Sequence, residues 1–245
     1  MQRPSERTLL LIGSGPGIGG SVASLFAQRY FDRVALFART ASQLQKDREA
    51  VLSAAATASR PVDVQTWQVD IANPELFKNA LREVELWGTL ECVYFNAARV
   101  EGSLFFDFPI DGIEYDLKVS VIALYIAAEW AFPLLLRAAE TLAEAEYKPS
   151  FFVTSSFLPA DPIPQLFALS MAKAAQANLV KSLERTFAQQ GVHVGLVVVG
   201  GGPVSVDSAL SPANIAEAAW KLFDQEKKDW RSQATVLENG GLAFE

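Results

Sequence analysis

Apolar positions in this 245-residue chain fall into short continuous runs separated by stretches of helical spacing. Residues 9–12 read Leu-Leu-Leu-Ile, 33–39 read Arg-Val-Ala-Leu-Phe-Ala-Arg, and 90–95 read Leu-Glu-Cys-Val-Tyr-Phe. Two more runs occupy 150–156 and the valine-rich 192–199, and a weaker one occupies 62–69. Such runs, bounded by turn signals, predict strands buried on both faces. Helical patterns fill the gaps: up to about residue 30, then 42–58, 112–143 and 165–190. Two further helices start at Asn73-Pro74-Glu75 and at Ser211-Pro212, each with a capping side chain and a proline in the first turn. Strands alternating with helices through short loops require right-handed parallel crossovers. The expected fold class is therefore α/β, a doubly wound parallel sheet inside a three-layer αβα sandwich. Residues 1–245 read as one domain, without internal repeat or low-complexity linker.

Composition narrows the function. A formal net charge of -7 and the lack of any Lys/Arg-rich run argue against nucleic acid or an anionic membrane as partner. The one cysteine, Cys92, sits in a strand-like run and forms no intrachain disulfide, so nothing asks for an oxidising compartment. Residues 9–12 are too short for the core of a signal peptide, which leaves the cytoplasm as the expected location. The longest apolar stretch, 119–136, is interrupted by Ser120, Glu129 and Pro133 and reads as a helix buried between subunits or against the sheet, not as a membrane span. No metal-ligating cluster is predicted.

The first strand runs straight into Gly13-Ser-Gly-Pro-Gly17-Ile-Gly19 and then into a helix. Gly13 permits the tight turn, Gly17 lets the backbone approach a pyrophosphate at the helix N-terminus, and Gly19 lets the helix pack closely on the sheet. That makes Gly13, Ser14, Gly15, Gly17, Ile18 and Gly19 candidate nucleotide contacts; the alternative is a purely structural turn. The second strand ends in Arg39-Thr40, a cation where a carboxylate would hold a ribose 2′-hydroxyl. This favours NADP(H) over NAD(H), against the alternative of a solvated charge. The third strand ends in Asp70-Ile71.

The Gly13-x-x-x-Gly17-x-Gly19 spacing resembles the cofactor loop of the short-chain dehydrogenase/reductase family, and Asn96-Ala97-Ala98 is similar to that family's Asn-x-Ala-Gly signature with its last glycine replaced. The resemblance covers roughly residues 8–240 and implies a Rossmann-type fold, a nicotinamide cofactor and a small-molecule substrate. It makes Asp70 and Ile71 adenine contacts, with helix capping as the alternative reading of that segment. Asn96, Ala97 and Ala98 become cofactor-pocket residues, and Gly202, Pro203 and Val204 a loose match to the turn that contacts the nicotinamide carboxamide. It also implies a homodimer or homotetramer built on the two long helices, through faces such as Val121, Leu124, Ala128 and Leu135, and Leu169, Ala172, Ala175, Leu179 and Leu183. Burial of those faces against the chain's own sheet explains much of the same pattern.

Ser156 and Lys173 keep the family's catalytic spacing, with the lysine placed to bind the nicotinamide ribose. Two positions depart from it: the tyrosine's place is Leu169 and the helical asparagine's is Ser120. The proton donor of ordinary carbonyl reduction is thus missing, a loss of about 10²–10⁴ in rate. Asp161, in the proline-rich loop 158–164, is a candidate electrostatic or proton-handling residue, or else a turn residue facing water. The changed residues and the loop aspartate look similar to a fungal group of such enzymes that join imine reduction to a cyclisation. Three functions follow: an NADP(H) oxidoreductase acting on an iminium or another electrophile needing no tyrosine acid, an inactive cofactor- or partner-binding homologue, or a redox-neutral cyclase or isomerase using the NADP pocket. His193, within the apolar strand 192–199, reads as a core residue.

Overall fold

The computed structural model describes residues 7–141, 147–202 and 204–245. Seven parallel strands follow in chain order: β1 (Arg7–Ile12), β2 (Arg33–Ala38), β3 (Asp63–Gln68), β4 (Thr89–Phe95), β5 (Ser150–Ser156), β6 (His193–Gly200) and β7 (Gln233–Leu237). A short antiparallel β8 (Leu242–Phe244) completes one eight-stranded sheet of order β3-β2-β1-β4-β5-β6-β7-β8. The reversal between β1 and β4 creates the switch point at which doubly wound sheets leave a crevice beyond their strand ends.

Side-chain alternation along each strand divides the interior into two layers. Leu10, Ile12, Phe37, Phe95, Phe151 and Leu196 face α3 (Pro74–Trp87), α5 (Ala123–Thr141) and α6 (Phe167–Phe187). Leu9, Leu11, Leu36, Tyr94, Phe152 and Val197 face α1 (Ile18–Arg29), α2 (Ala41–Thr57) and α7 (Pro212–Phe223). The predicted caps are in place: the Asn73 side chain accepts from the amides of Glu75 and Leu76, and Ser211 accepts from that of Asn214. His193 is a core residue, stacked on Trp230 and bonded through Nε2 to the Arg231 carbonyl; burial lowers its pKa to about 4.

Two features differ from the sequence expectation. The helix expected over 112–143 starts earlier and is broken in character: α4 (Ile110–Leu117) passes through a π-helical turn, Lys118–Ile122, into α5. Strands β7 and β8 carry no long apolar run and were absent from the expectation. Of the helix faces named for a subunit interface, Leu124, Ala128, Leu135, Leu169 and Ala172 are covered by the chain itself, as the alternative of self-burial has it, while Val121, Ala175, Leu179 and Leu183 are half-buried. The 110–140 helix is long and apolar enough to cross a membrane, yet Ala123, Leu124, Ala127, Ala131 and Leu135 lie fully within the sheet's core layer.

Candidate active site

Every parallel strand delivers its last residues to the same edge of the sheet, so the predicted site residues, scattered over the sequence, converge there. A cleft of about 270 Å³ opens at the β1/β4 switch point. Gly13, Ser14 and Gly15 line it from the β1 exit, Arg39 from β2, Asp70 and Ile71 from β3, and Asn96, Ala97 and Ala98 from β4.

The turn after β1 depends on missing side chains. Gly13 has φ +93°, and a Cβ on it would lie 2.5 Å from the Ala97 nitrogen. A Cβ on Gly19 would meet the Gly13 carbonyl oxygen at 2.4 Å, so that glycine sets how closely α1 approaches β1. Gly15 and Gly17 behave differently: a Cβ on either meets nothing within 4 Å, so the turn presents bare backbone to open space at the start of α1. Gly17 caps that helix without any side-chain bond, which leaves its first amides and the positive end of its dipole exposed to a ligand. A set of bonds holds the turn rigid. The Asn96 amide donates to the Gly13 carbonyl at 3.0 Å and its oxygen accepts from Thr154 Oγ1 at 2.8 Å, tying β1, β4 and β5 together. Ser14 Oγ donates to Asp47 Oδ2 at 2.6 Å, anchoring the turn on α2.

Arg39 is exposed at the cleft's rim and donates to the Tyr115 hydroxyl at 2.9 Å across from it; Thr40 lies exposed at the start of α2. Asp70 Oδ1 accepts from the Ala72 amide, a local turn that leads to the Asn73 cap, so it both lines the cleft and shapes the chain. Sequence reasoning missed Tyr115, Arg99 and Asp47. Arg99 lines the cleft but is engaged by Asp116 at 2.7 Å, by Glu101 and by the Gly112 carbonyl, which braces α4 against the β4 exit. A basic residue directly after Asn-Ala-Ala was the one signal for it.

The remaining candidates lie beyond the cleft. Ser156, half-buried, ends β5 and accepts weakly from the Leu158 amide at 3.4 Å. Lys173 is buried on α6, and Leu169 lies buried one turn before it. The lysine donates to the Thr154 carbonyl at 2.8 Å and to Gln176 Oε1 at 2.9 Å. Burial lowers its pKa from the usual 10.5 to about 8. Ser120 falls in the π-helical turn, and its carbonyl accepts from Gln176 Nε2 at 2.8 Å. Asp161 is exposed, its backbone amide closing a turn onto Phe157, and its side chain lines neither this cleft nor the next. Gly202 donates from its amide to Glu238 Oε1, and Val204 stands partly exposed beside it. Pro203 lies outside the described residues. An apolar cleft of about 420 Å³ adjoins the Ser156 exit, walled by Pro159, Pro162, Ile163 and Pro164 against Phe105, Phe167 and Met171. A larger hollow of about 650 Å³ lies at the opposite end of the sheet, where Tyr147, Lys148 and Pro149 lead into β5; it receives no strand exit.

Comparison with known proteins places this geometry. The family described as short chain dehydrogenase matches residues 7–213. The short chain dehydrogenase pgmD of Aspergillus terreus is 26% identical over 251 residues, spanning 94% of this chain and 78% of that protein. Among solved structures, a metagenomic short-chain oxidoreductase in complex with NADP superimposes with a TM-score of 0.81 at 18% identity, covering 95% of this chain and 97% of that one. An alcohol dehydrogenase from the archaeon Thermococcus sibiricus, complexed with 5-hydroxy-NADP, gives 0.80 at 19% identity, covering 96% and 97%. At those identities the likeness to the solved structures is one of fold.

Proposed function

The chain belongs to the short-chain dehydrogenase family, and from that membership we propose that it is an oxidoreductase working with NADP(H) on a small-molecule substrate. The observation that carries the reading is the switch-point cleft, where a bare glycine turn, the uncapped start of α1 and the Arg39 guanidinium converge. When bound, the nicotinamide supplies or accepts a hydride. The chain's own residues do the holding. Gly15, Gly17, Ile18 and Gly19 offer main-chain amides to the pyrophosphate, while the amides of Gly13 and Ser14 donate to the Phe37 carbonyl and hold the turn against β2. Arg39, with Thr40 beside it, meets the 2′-phosphate as a permanent cation. Asp70, Ile71, Asn96, Ala97 and Ala98 flank the adenosine half, and Gly202 and Val204 border the nicotinamide end. Lys173 donates to the ribose hydroxyls and Ser156 contacts the substrate.

Leu169 selects the chemistry. An aliphatic side chain in the place of the family's tyrosine protonates nothing, so an electrophile that needs no proton on accepting hydride suits the site best. An iminium carbon is one, since C=N⁺ becomes a neutral amine. The apolar cleft beside Ser156 favours a substrate with a large uncharged body. The same leucine supports a second reading, cofactor binding without turnover; deuterium carried from labelled NADPH into any product excludes it.

The test is a titration with NADPH and NADH side by side, followed by nicotinamide fluorescence, on the natural protein, Arg39→Asp and Gly17→Trp. NADPH is expected to bind more tightly than NADH. Arg39→Asp should weaken NADPH by about 10- to 100-fold, the worth of a charge-assisted bond to phosphate, and leave NADH nearly unchanged. Gly17→Trp should abolish both by filling the space above the turn. Binding of neither nucleotide to the natural protein overturns the proposal.

A further inference from the structure

Lys173 is the one buried cation at the strand-exit edge among the described residues, and the group that holds it is unusual. Its ammonium has three protons; the Thr154 carbonyl takes one and Gln176 Oε1 takes another. Gln176 lies three residues further along α6 with no solvent exposure. Its other end, Nε2, donates to the Ser120 carbonyl at 2.8 Å. The orientation of the amide is fixed by its partners, because an ammonium only donates and a carbonyl only accepts. Ser120 lies inside the π-helical turn, a wider turn whose hydrogen-bond ladder departs from the regular helix on either side. The side chain of Gln176 thus spans from that turn to the lysine.

We propose that Gln176 is a positioning residue, whose amide, anchored on the Ser120 carbonyl of the π-helical turn, sets the place of the Lys173 ammonium and stabilises its charge. The proposal rests on the reading that Lys173 serves the cofactor ribose. The surroundings offer the ammonium few other acceptors. Facing Lys173 from β5 is Thr154, whose hydroxyl bonds to the Tyr94 phenol and to Asn96; facing it from the π-helical turn is Ser120. Tyr94 has its pKa pushed up by burial and stays neutral. Among the described residues no carboxylate pairs with Lys173, so its charge rests on two neutral oxygens, one of them supplied by Gln176. With one proton unpartnered, the ammonium retains a donor for a bound hydroxyl.

The experiment titrates Lys173 directly, by NMR of protein carrying ¹³C-labelled lysine, with Lys173→Met identifying the resonance. Gln176→Glu places a carboxylate where the neutral oxygen was and should raise the Lys173 midpoint by more than about one pH unit. Gln176→Met keeps volume but removes the acceptor, and should lower the midpoint by about one unit and weaken NADPH several-fold at neutral pH. Thermal unfolding confirms that each variant is folded, and the two opposite shifts do not depend on both surviving. A midpoint that moves in neither folded variant overturns the proposal. Failure of the natural protein to bind NADPH overturns the cofactor reading instead, and leaves the midpoints as a separate result.

Discussion

The buried groups Glu91, Lys173 and His193 sit where burial, more than any partner, sets their behaviour. Glu91, on β4 with no side-chain exposure, accepts at Oε1 from the Tyr30 hydroxyl at 2.8 Å and from the Lys148 amide at 2.7 Å; its second oxygen lies 4.0 Å from Arg7 Nε. Burial outweighs those donors and raises its pKa from the usual 4.5 to about 7. Between those values the folded chain keeps a proton that the unfolded chain has lost. Stability from this group is therefore fully present below about pH 4.5 and is lost as pH rises through 7. Glu91→Gln, which keeps an acceptor for both donors, should match the natural protein in urea unfolding near about pH 4.5 and exceed it near about pH 8 by up to about 3 kcal/mol. A gap of the same size at both pH values refutes the assignment. Legibility at this scale was uneven. The candidates Gly13, Arg39, Asp70 and Asn96 were readable because a strand exit plus a motif names a position. Asp47, Tyr115 and Gln176 were not, because each acts through a partner at least 33 residues away that no local pattern reveals.

At the scale of elements, the phosphate turn separates two kinds of glycine. Gly19 is needed by the fold, since a Cβ there meets the Gly13 carbonyl oxygen at 2.4 Å; Gly17 faces open space. Gly19→Ala should lower the melting temperature by roughly 5 °C or more, the cost of overpacking a tight contact. Gly17→Ala should leave melting within about 2 °C and still weaken NADPH. Equal melting losses in the two variants would remove the distinction. The caps Asn73 and Ser211 were legible because capping is local, written within four residues. The π-helical turn had no such signature: the β-branched Val119, Val121 and Ile122 lower helix propensity without naming a wider turn, and that turn is met by Gln176, which reaches it from α6. The strands β7 and β8 were missed because Gln-Ala-Thr-Val-Leu and a three-residue edge are too short and too mixed for a periodicity to register.

For the whole molecule, assembly follows from what the fold leaves uncovered. The apolar faces of α5 and α6 are spent on the sheet, but Tyr125 on α5, Met171 on α6 and Ile122, in the π-helical turn that leads into α5, remain exposed. The homodimer or homotetramer that the family resemblance implies is expected to form through that face. Light scattering after size exclusion should give at least twice the monomer mass, and Ile122→Asp with Tyr125→Asp should return the monomer; a natural protein of monomer mass overturns the assignment. Sequence by itself determined the α/β class, the strand and helix alternation, the glycine turn, the cation after β2 and the absence of a tyrosine at 169, since each is carried by local periodicity or by residue identity at one position. Tertiary structure alone decided the strand order that brings four strand exits into one cleft, the burial of Lys173 between Thr154 and Gln176, the exposure of Asp161 and the self-covering of the long helices. Those are contacts between residues distant in sequence, and their energies depend on how the layers pack, which no stretch of the chain encodes alone.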